Sequence, residues 1–334
     1  MSAARTSLGI VTYALGIHLR HAWAGRHAGL SPALAFFEEC RRLGAGGMQF
    51  DLRAADEPHV PELRRRLAAA GMFFEGIVSP PRTAEDLPRF ERDLRLAREA
   101  GATLARTVIM PGRRYEEFGS LEAFRRAEAA GARSLELAEP VLARHGFRLA
   151  VENHKDHRVA ERLRLFERLG SEWVGACVDV GNNLALLEDP VETVRALAPW
   201  ALTVHLKDQA LRASEEGFLL ADAALGEGYL DLPGIVRILH EAKPGIRFNL
   251  EVITRDALGV PVLTPGYWTT LPEVPARDLA ATLAAVKAHG ALTAFEPFAV
   301  RPVAEQLEME LQAVRVSLAY AGRQLGLEAS HSAA

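Results

Sequence analysis

Four residues in the second half of the chain could do chemistry together: Glu152, Asp179, His205 and Glu251. Each lies at or near the end of a short apolar run, and side chains alternate between the two faces of an extended strand. In 147–154, Leu149, Val151 and Asn153 share one face, while Ala150, Glu152 and His154 share the other. In 174–181, Val174, Ala176, Val178 and Val180 form an outward face, leaving Cys177 and Asp179 inward. In 202–207, Leu202, Val204 and Leu206 face outward, and Thr203, His205 and Lys207 inward. In 247–253, Phe248, Leu250 and Val252 leave Asn249 and Glu251 inward. Ionised carboxylates gathered in one interior repel one another and lose hydration, so they require a compensating cation. A divalent metal held by Glu152, Asp179, His205 and Glu251 supplies it. The oxygen and imidazole donors suit Mn2+ first, with Mg2+, Co2+ and Zn2+ also compatible. The competing reading is that salt bridges and hydrogen bonds satisfy each residue separately.

Such convergence requires elements that bring separate strand ends to one place. Strand-like runs at 8–13, 46–51, 72–78, 104–110, 147–153, 174–179, 202–207 and 247–253 alternate with helical segments at 31–43, 57–70, 85–100, 121–145, 158–169, 190–198, 231–242 and 277–289. Ser31-Pro32 reads as a helix start, and Gly71, Gly101, Gly146 and Gly170 follow helical runs where a terminating turn is expected. Repeated βα units of this number predict an α/β fold, a single (β/α)8 TIM barrel whose active site lies at the C-terminal ends of the strands. The expected catalytic domain covers 1–326, including an added helix at 301–325 packed outside the barrel or at a subunit interface, followed by a flexible tail at 327–334. Residues 254–276 are expected to form a lid or rim loop after the eighth strand.

Composition narrows the function classes. With 39 basic and 43 acidic residues, the formal charge of −4 gives no general attraction for nucleic acid or an anionic membrane. Cys40 and Cys177 are the only cysteines, and Cys177 sits inside an apolar run, so a disulfide framework is not expected. The first residues lack a signal-peptide pattern, and no run has the length of a membrane span, which predicts a cytoplasmic protein. No dinucleotide fingerprint or P-loop is present.

With VENHKD at 151–156, CVDVGN at 177–182, VHLKD at 204–208, the Glu of FNLEV at 248–252 and GEGYLDLPGIVRIL at 226–239, the chain resembles the xylose-isomerase-like TIM-barrel superfamily, especially its sugar-phosphate isomerase/epimerase proteins and ketose 3-epimerases. The resemblance covers most of the chain. It implies that Glu152 and Glu251 both bind metal and flank the reacting sugar as an acid/base pair, while Asp179 and His205 mainly fix the ion. The metal would polarise a carbonyl and stabilise an enediolate, giving isomerisation or epimerisation of a small sugar or keto-sugar. One departure bears on this: ketose 3-epimerases typically carry a substrate-binding His three residues after the metal-binding Asp, and here that position is Asn182. With His154, Lys207 and Arg255 adding donors or positive charge, a sugar-acid decarboxylase or keto-inositol dehydratase is the alternative. His154 and Lys207 join the expected catalytic set.

Other residues carry weaker expectations. Asp51 and Glu75 are candidates for the opposite side of the mouth, or partners of nearby basic residues. Tyr267 and Trp268 are candidates for an apolar lid wall, and Asp208 is expected to face away from the site. The expected partner is a small sugar, keto-sugar or sugar acid, with no nucleic acid and no membrane; a homo-oligomer is expected only by fold analogy. A DNA-repair endonuclease would need a richer metal cluster and a DNA-contacting surface. A noncatalytic carbohydrate-binding protein would need neither the four-residue metal arrangement nor two proton-transfer carboxylates.

Overall fold

The computed structural model describes residues 6–27, 29–290 and 297–328. Eight parallel strands close into a barrel: β1 (Gly9–Val11), β2 (Gly47–Phe50), β3 (Phe73–Ile77), β4 (Leu104–Thr107), β5 (Arg148–Glu152), β6 (Val174–Asp179), β7 (Ala201–Leu206) and β10 (Phe248–Leu250). Each falls within or one residue outside a strand expected from the sequence. Between β7 and β10 the chain adds an antiparallel hairpin, β8 (Asp208–Ser214) and β9 (Gly217–Ala223), which β11 (Leu258–Val260) extends to three strands. The segment expected to be a rim loop therefore contains a strand and a short helix, Pro265–Trp268.

The outer helices form where apolar periodicity and end signals agree. Ser31 accepts from the Leu34 amide ahead of helix Pro32–Leu43, satisfying an otherwise unpaired donor. The long helix Leu121–His145 ends at Gly146, whose φ of 58° is left-handed and so favours glycine. The core lies between these helices and the barrel, where Leu149, Val151, Val178, Val204 and Leu250 are buried in one apolar cluster. The inward phase forms a separate small layer, with Leu104, Ala150 and Cys177 buried inside the barrel. Alternation thus separates shell-facing from axis-facing side chains, as the sequence pattern requires.

The added C-terminal helix, Val303–Gln324, packs outside the barrel against the short helix Gly16–His21. Its buried Glu310 accepts from the amides of Ile17 and His18 at 2.8 and 2.9 Å, placing negative charge at that helix's N-terminal end. Leu327 and Glu328, assigned to the tail by sequence, pair with the chain start: the Ser7 amide donates to the Leu327 carbonyl, and Thr6 bridges Glu328. Residues 329–334 lie outside the described set. Among the described residues, no helix is long and apolar enough to cross a membrane.

Candidate metal centre

Strands β5, β6, β7 and β10 are consecutive neighbours in the barrel, so side chains at their C-terminal ends share one half of the mouth. Glu152 ends β5, Asp179 ends β6, His205 lies one residue before the end of β7, and Glu251 follows β10. Register places Asp179 beside His205. One potential ligand atom from each of the four residues lies within 4.8 Å of the others, and all four residues are buried. They could hold a divalent metal. Cys177 also approaches Glu152 and His205, but burial pushes its thiol up to about 11, leaving it a neutral neighbour at ordinary pH.

The donor atoms fit a cation. His205 Nε2 lies 2.8 Å from Gln49 Oε1, while the Gln49 amide nitrogen donates to Glu75 Oε2 at 3.1 Å. Glu75 therefore orients the Gln49 amide, and the carbonyl oxygen it turns toward His205 makes Nε2 the donor. That leaves Nδ1, buried without a hydrogen-bond partner, 3.4 Å from Glu152 Oε2 and 3.3 Å from Glu251 Oε1. Three acceptors facing one another repel unless a positive charge sits among them. Asp179 Oδ2 is likewise buried outside hydrogen-bond geometry, whereas its Oδ1 accepts from the amides of Gly181 and Asn182 at 3.0 and 2.8 Å.

Two buried cations complete the electrostatics. Lys207 Nζ lies 2.8 Å from Asp179 Oδ2 and 2.7 Å from Glu251 Oε2, and Arg106 of β4 pairs with Glu152. Burial alone would raise all three carboxyl pKa values; the Arg106 charge brings Glu152 below its ordinary value, and Lys207 with His205 holds Glu251 well below. At Asp179 burial prevails over Lys207, and with Glu251 and Glu152 nearby its pKa is pushed up to about 6. Burial works against a charged imidazole at His205, but its interactions with the neighbouring Cys177, Glu251 and Glu152 raise its pKa well above normal. The cavity therefore attracts positive charge, either a proton or a metal ion, to Nδ1.

The flanking residues divide into those facing the site and those supporting it. Asn182 donates to Glu152 Oε1 at 3.1 Å and accepts from Lys155 Nζ, placing an amide where the ketose 3-epimerase pattern has an imidazole. His154 turns Nδ1 toward the Gly112 carbonyl at 3.2 Å, and burial lowers its pKa. Because that carbonyl can only accept, Nδ1 carries the proton and Nε2 is an acceptor. Glu75 does not line the mouth: it is fully buried inside the barrel, accepting from Thr203 at 2.8 Å and Asn249 at 2.9 Å. Asp51 instead pairs with Arg53 at 3.2 Å.

Asp208 faces away from the centre and accepts from the amides of Gln209, Gly226, Gly228 and Leu230 at 2.8–3.1 Å, fixing the following loop. A Cβ at Gly228 would lie 2.1 Å from Asp208 Oδ1, so this close approach requires glycine. Tyr267 and Trp268 are tied into the rim, donating to the Ala185 and Val262 carbonyls, each at 2.9 Å. Arg255 is exposed on the segment after β10. Gln49, Arg106 and Lys155 are site residues that the sequence reading did not single out.

A family model described as a xylose isomerase-like TIM barrel matches residues 37–297. The chain is 26% identical over 114 residues to the 3-oxo-isoapionate decarboxylase of Pectobacterium atrosepticum, a match covering 34% of this chain and 42% of that relative. The chain thus spans less than half the length of this curated relative. Among solved structures, D-psicose 3-epimerase in the presence of D-fructose superposes with a TM-score of 0.60 at 14% identity, covering 95% of this chain and 99% of the other. A probable 3-DHS dehydratase of Bacillus anthracis, involved in petrobactin synthesis, gives a TM-score of 0.55 at 14% identity over 74% of this chain and 92% of its own. At these identities the structural likeness speaks to fold.

Proposed function

Because this chain belongs to the xylose isomerase-like TIM barrel family, we propose that it is a divalent-metal-dependent lyase acting on an oxo sugar acid, with decarboxylation as its reaction. The observation carrying this reading is Asn182, which joins Glu152 to the buried ammonium of Lys155 in place of the imidazole expected of a ketose 3-epimerase. The local likeness to a protein named as an oxo sugar acid decarboxylase supports it.

In this reading Glu152, Asp179, His205 and Glu251 hold the ion, Mn2+ or Mg2+ by preference. When bound, it supplies Lewis-acid polarisation of the substrate oxo group. For a 3-oxo acid, the electron pair of the C1–C2 bond passes to the oxo oxygen, carbon dioxide leaves, and C2 then takes a proton. Glu251, kept ionised by Lys207 at Oε2, relays a proton from that ammonium to C2. Glu152, turned inward by β5 and neutralised by Arg106, flanks the opposite side. His154 offers its free Nε2 to a substrate hydroxyl, and Lys207 adds positive charge against the developing oxyanion.

The second reading, a sugar or keto-sugar isomerase or epimerase, uses Glu152 and Glu251 to pass a proton between faces or neighbouring carbons. Its support is the presence of both carboxylates at one centre. An NMR screen of the metal-loaded protein in deuterated water separates the two. Carbon dioxide release from a 3-oxo sugar acid, with deuterium entering C2, is expected. Epimerisation of ketoses without release from any oxo acid would overturn the lyase reading.

A further inference from the structure

Among the described residues, Lys155 is a buried cation of the mouth with no carboxylate in ion-pair contact. It is 5% exposed, and its Nζ donates to the neutral Oδ1 of Asn182. Among the described residues, no carboxylate lies within the 4.0 Å ion-pair range of Nζ. Its buried neighbours differ: Lys207 lies between Asp179 and Glu251, Arg106 pairs with Glu152, and Arg162 pairs with Asp156. A buried ammonium with only an amide for a partner is costly unless another anion completes it.

The backbone is held in a rare conformation at the same residue. Lys155 has φ of 103°, one of two positive values at non-glycine residues among the described residues. Asp156 fixes the turn by accepting from the amides of His154 and His157 at 3.3 and 2.7 Å, while Arg162 grips both Asp156 oxygens at 2.8 Å. The Arg114 amide donates to the Lys155 carbonyl at 3.0 Å. Uninterrupted strand alternation would put Lys155 on the face of Asn153, away from Glu152; the positive φ breaks that alternation, and Nζ reaches Asn182 instead. Burial, then the nearby charges of Lys207 and Arg255, push the Lys155 pKa down to about 8 against the pull of Asp179 and Asp222.

We propose that Lys155, steadied by Asn182, is the anchor for the substrate's carboxylate and makes the site select anionic sugar acids over neutral sugars. This inference rests on the sugar-acid reading of the site and names the residue that recognises the acid group. The carboxylate binds beside the Glu152–Asn182 edge of the mouth, leaving the remainder of the substrate to reach the metal ligands. Lys207, already shared by two protein carboxylates, is not the anchor.

The test uses a non-reacting pair, L-threonate and the neutral alditol threitol, titrated calorimetrically into the full, Mn2+-loaded protein. The chosen variant is Lys155→Gly, because glycine accepts the left-handed backbone and the change removes only the ammonium and its stem. Wild-type protein should prefer threonate, and Lys155→Gly should lose about 10- to 100-fold of threonate affinity with threitol and Mn2+ binding unchanged. Lys155→Arg should retain part of the preference. Equal wild-type affinity for the two probes, or an undiminished preference in Lys155→Gly, overturns the assignment. The outcome is independent of turnover: loss of threonate selectivity without decarboxylation of any oxo acid would leave the anchor standing and remove the lyase reading, while decarboxylation with selectivity intact in Lys155→Gly would do the reverse.

Discussion

His205 donates through Nε2 to Gln49 across 2.8 Å, so a residue of β2 on the far side of the barrel decides which imidazole nitrogen faces the carboxylates. Gln49 has no ligand atom in the metal cluster, yet it presents Nδ1 as the acceptor. Replacing Gln49 with Met should therefore weaken Mn2+ binding about 10- to 100-fold while the fold is retained. Mn2+ titration followed by electron paramagnetic resonance measures this directly; wild-type affinity in Gln49→Met would show that the bond does not orient the ligand.

The ligands themselves should behave more severely. Elemental analysis of wild-type protein should find about one divalent ion per chain, as four donors converging on a single position require. His205→Ala and Asp179→Asn should each lower occupancy at limiting metal. Full occupancy in both would remove these residues from the metal set.

Glu152→Gln and Glu251→Gln address proton transfer. Each amide keeps the side-chain shape but cannot accept and return a proton as a carboxylate does. With a turned-over substrate, deuterium incorporation should fall about 10²- to 10⁴-fold in whichever variant removes the proton-transfer group. Metal content is measured in the same samples, and only those that still bind metal are compared. Exchange at the wild-type rate in both variants would refute the acid/base assignment.

Asp156 tests stability rather than chemistry. Both of its oxygens pair with the buried Arg162 at 2.8 Å, and Asp156→Ala leaves that guanidinium without its carboxylate. The expected loss is about 3–5 kcal/mol, read from urea unfolding at neutral pH. Burial opposes the charged form, but Arg162 and His157 prevail and depress the Asp156 pKa. A depressed carboxyl pKa stabilises the fold above the unfolded value of about 3.9 and ceases to do so as pH falls toward the lower folded value. The stability gap between wild type and variant should accordingly narrow below about pH 4; a gap independent of pH would mean that the ion pair is not its source.

The barrel and the four converging residues were legible because strand alternation repeats wherever one face meets the helices and the other the axis. Arg106 and Gln49 carried the same signal, as polar side chains inside the short runs LARTVIM and GGMQFD, but each is a single residue without a motif. Lys155 was hidden for a different reason. Its positive φ reverses the facing that extended alternation assigns, and no residue type announces that reversal. The β8–β9 hairpin, with SEEG across its turn, is not legible in the βα pattern because it is an antiparallel insertion between two barrel strands. Glu75 could be read either as lining the mouth or as a partner of a basic residue; an inward phase gives the direction of a side chain but not its depth along the axis, and here the side chain is buried within the barrel.

The contact between Glu310 and the Ile17–His18 amides joins positions separated by 293 and 292 residues. An emerging polypeptide can pair its early strands long before this carboxylate has been made, leaving the Gly16–His21 helix without its anionic lock until Glu310 has left the ribosome. The chain's beginning is thereby secured only after all eight barrel strands have been made, and a chain cut between Leu250 and Glu310 would have every barrel strand but an unsecured start.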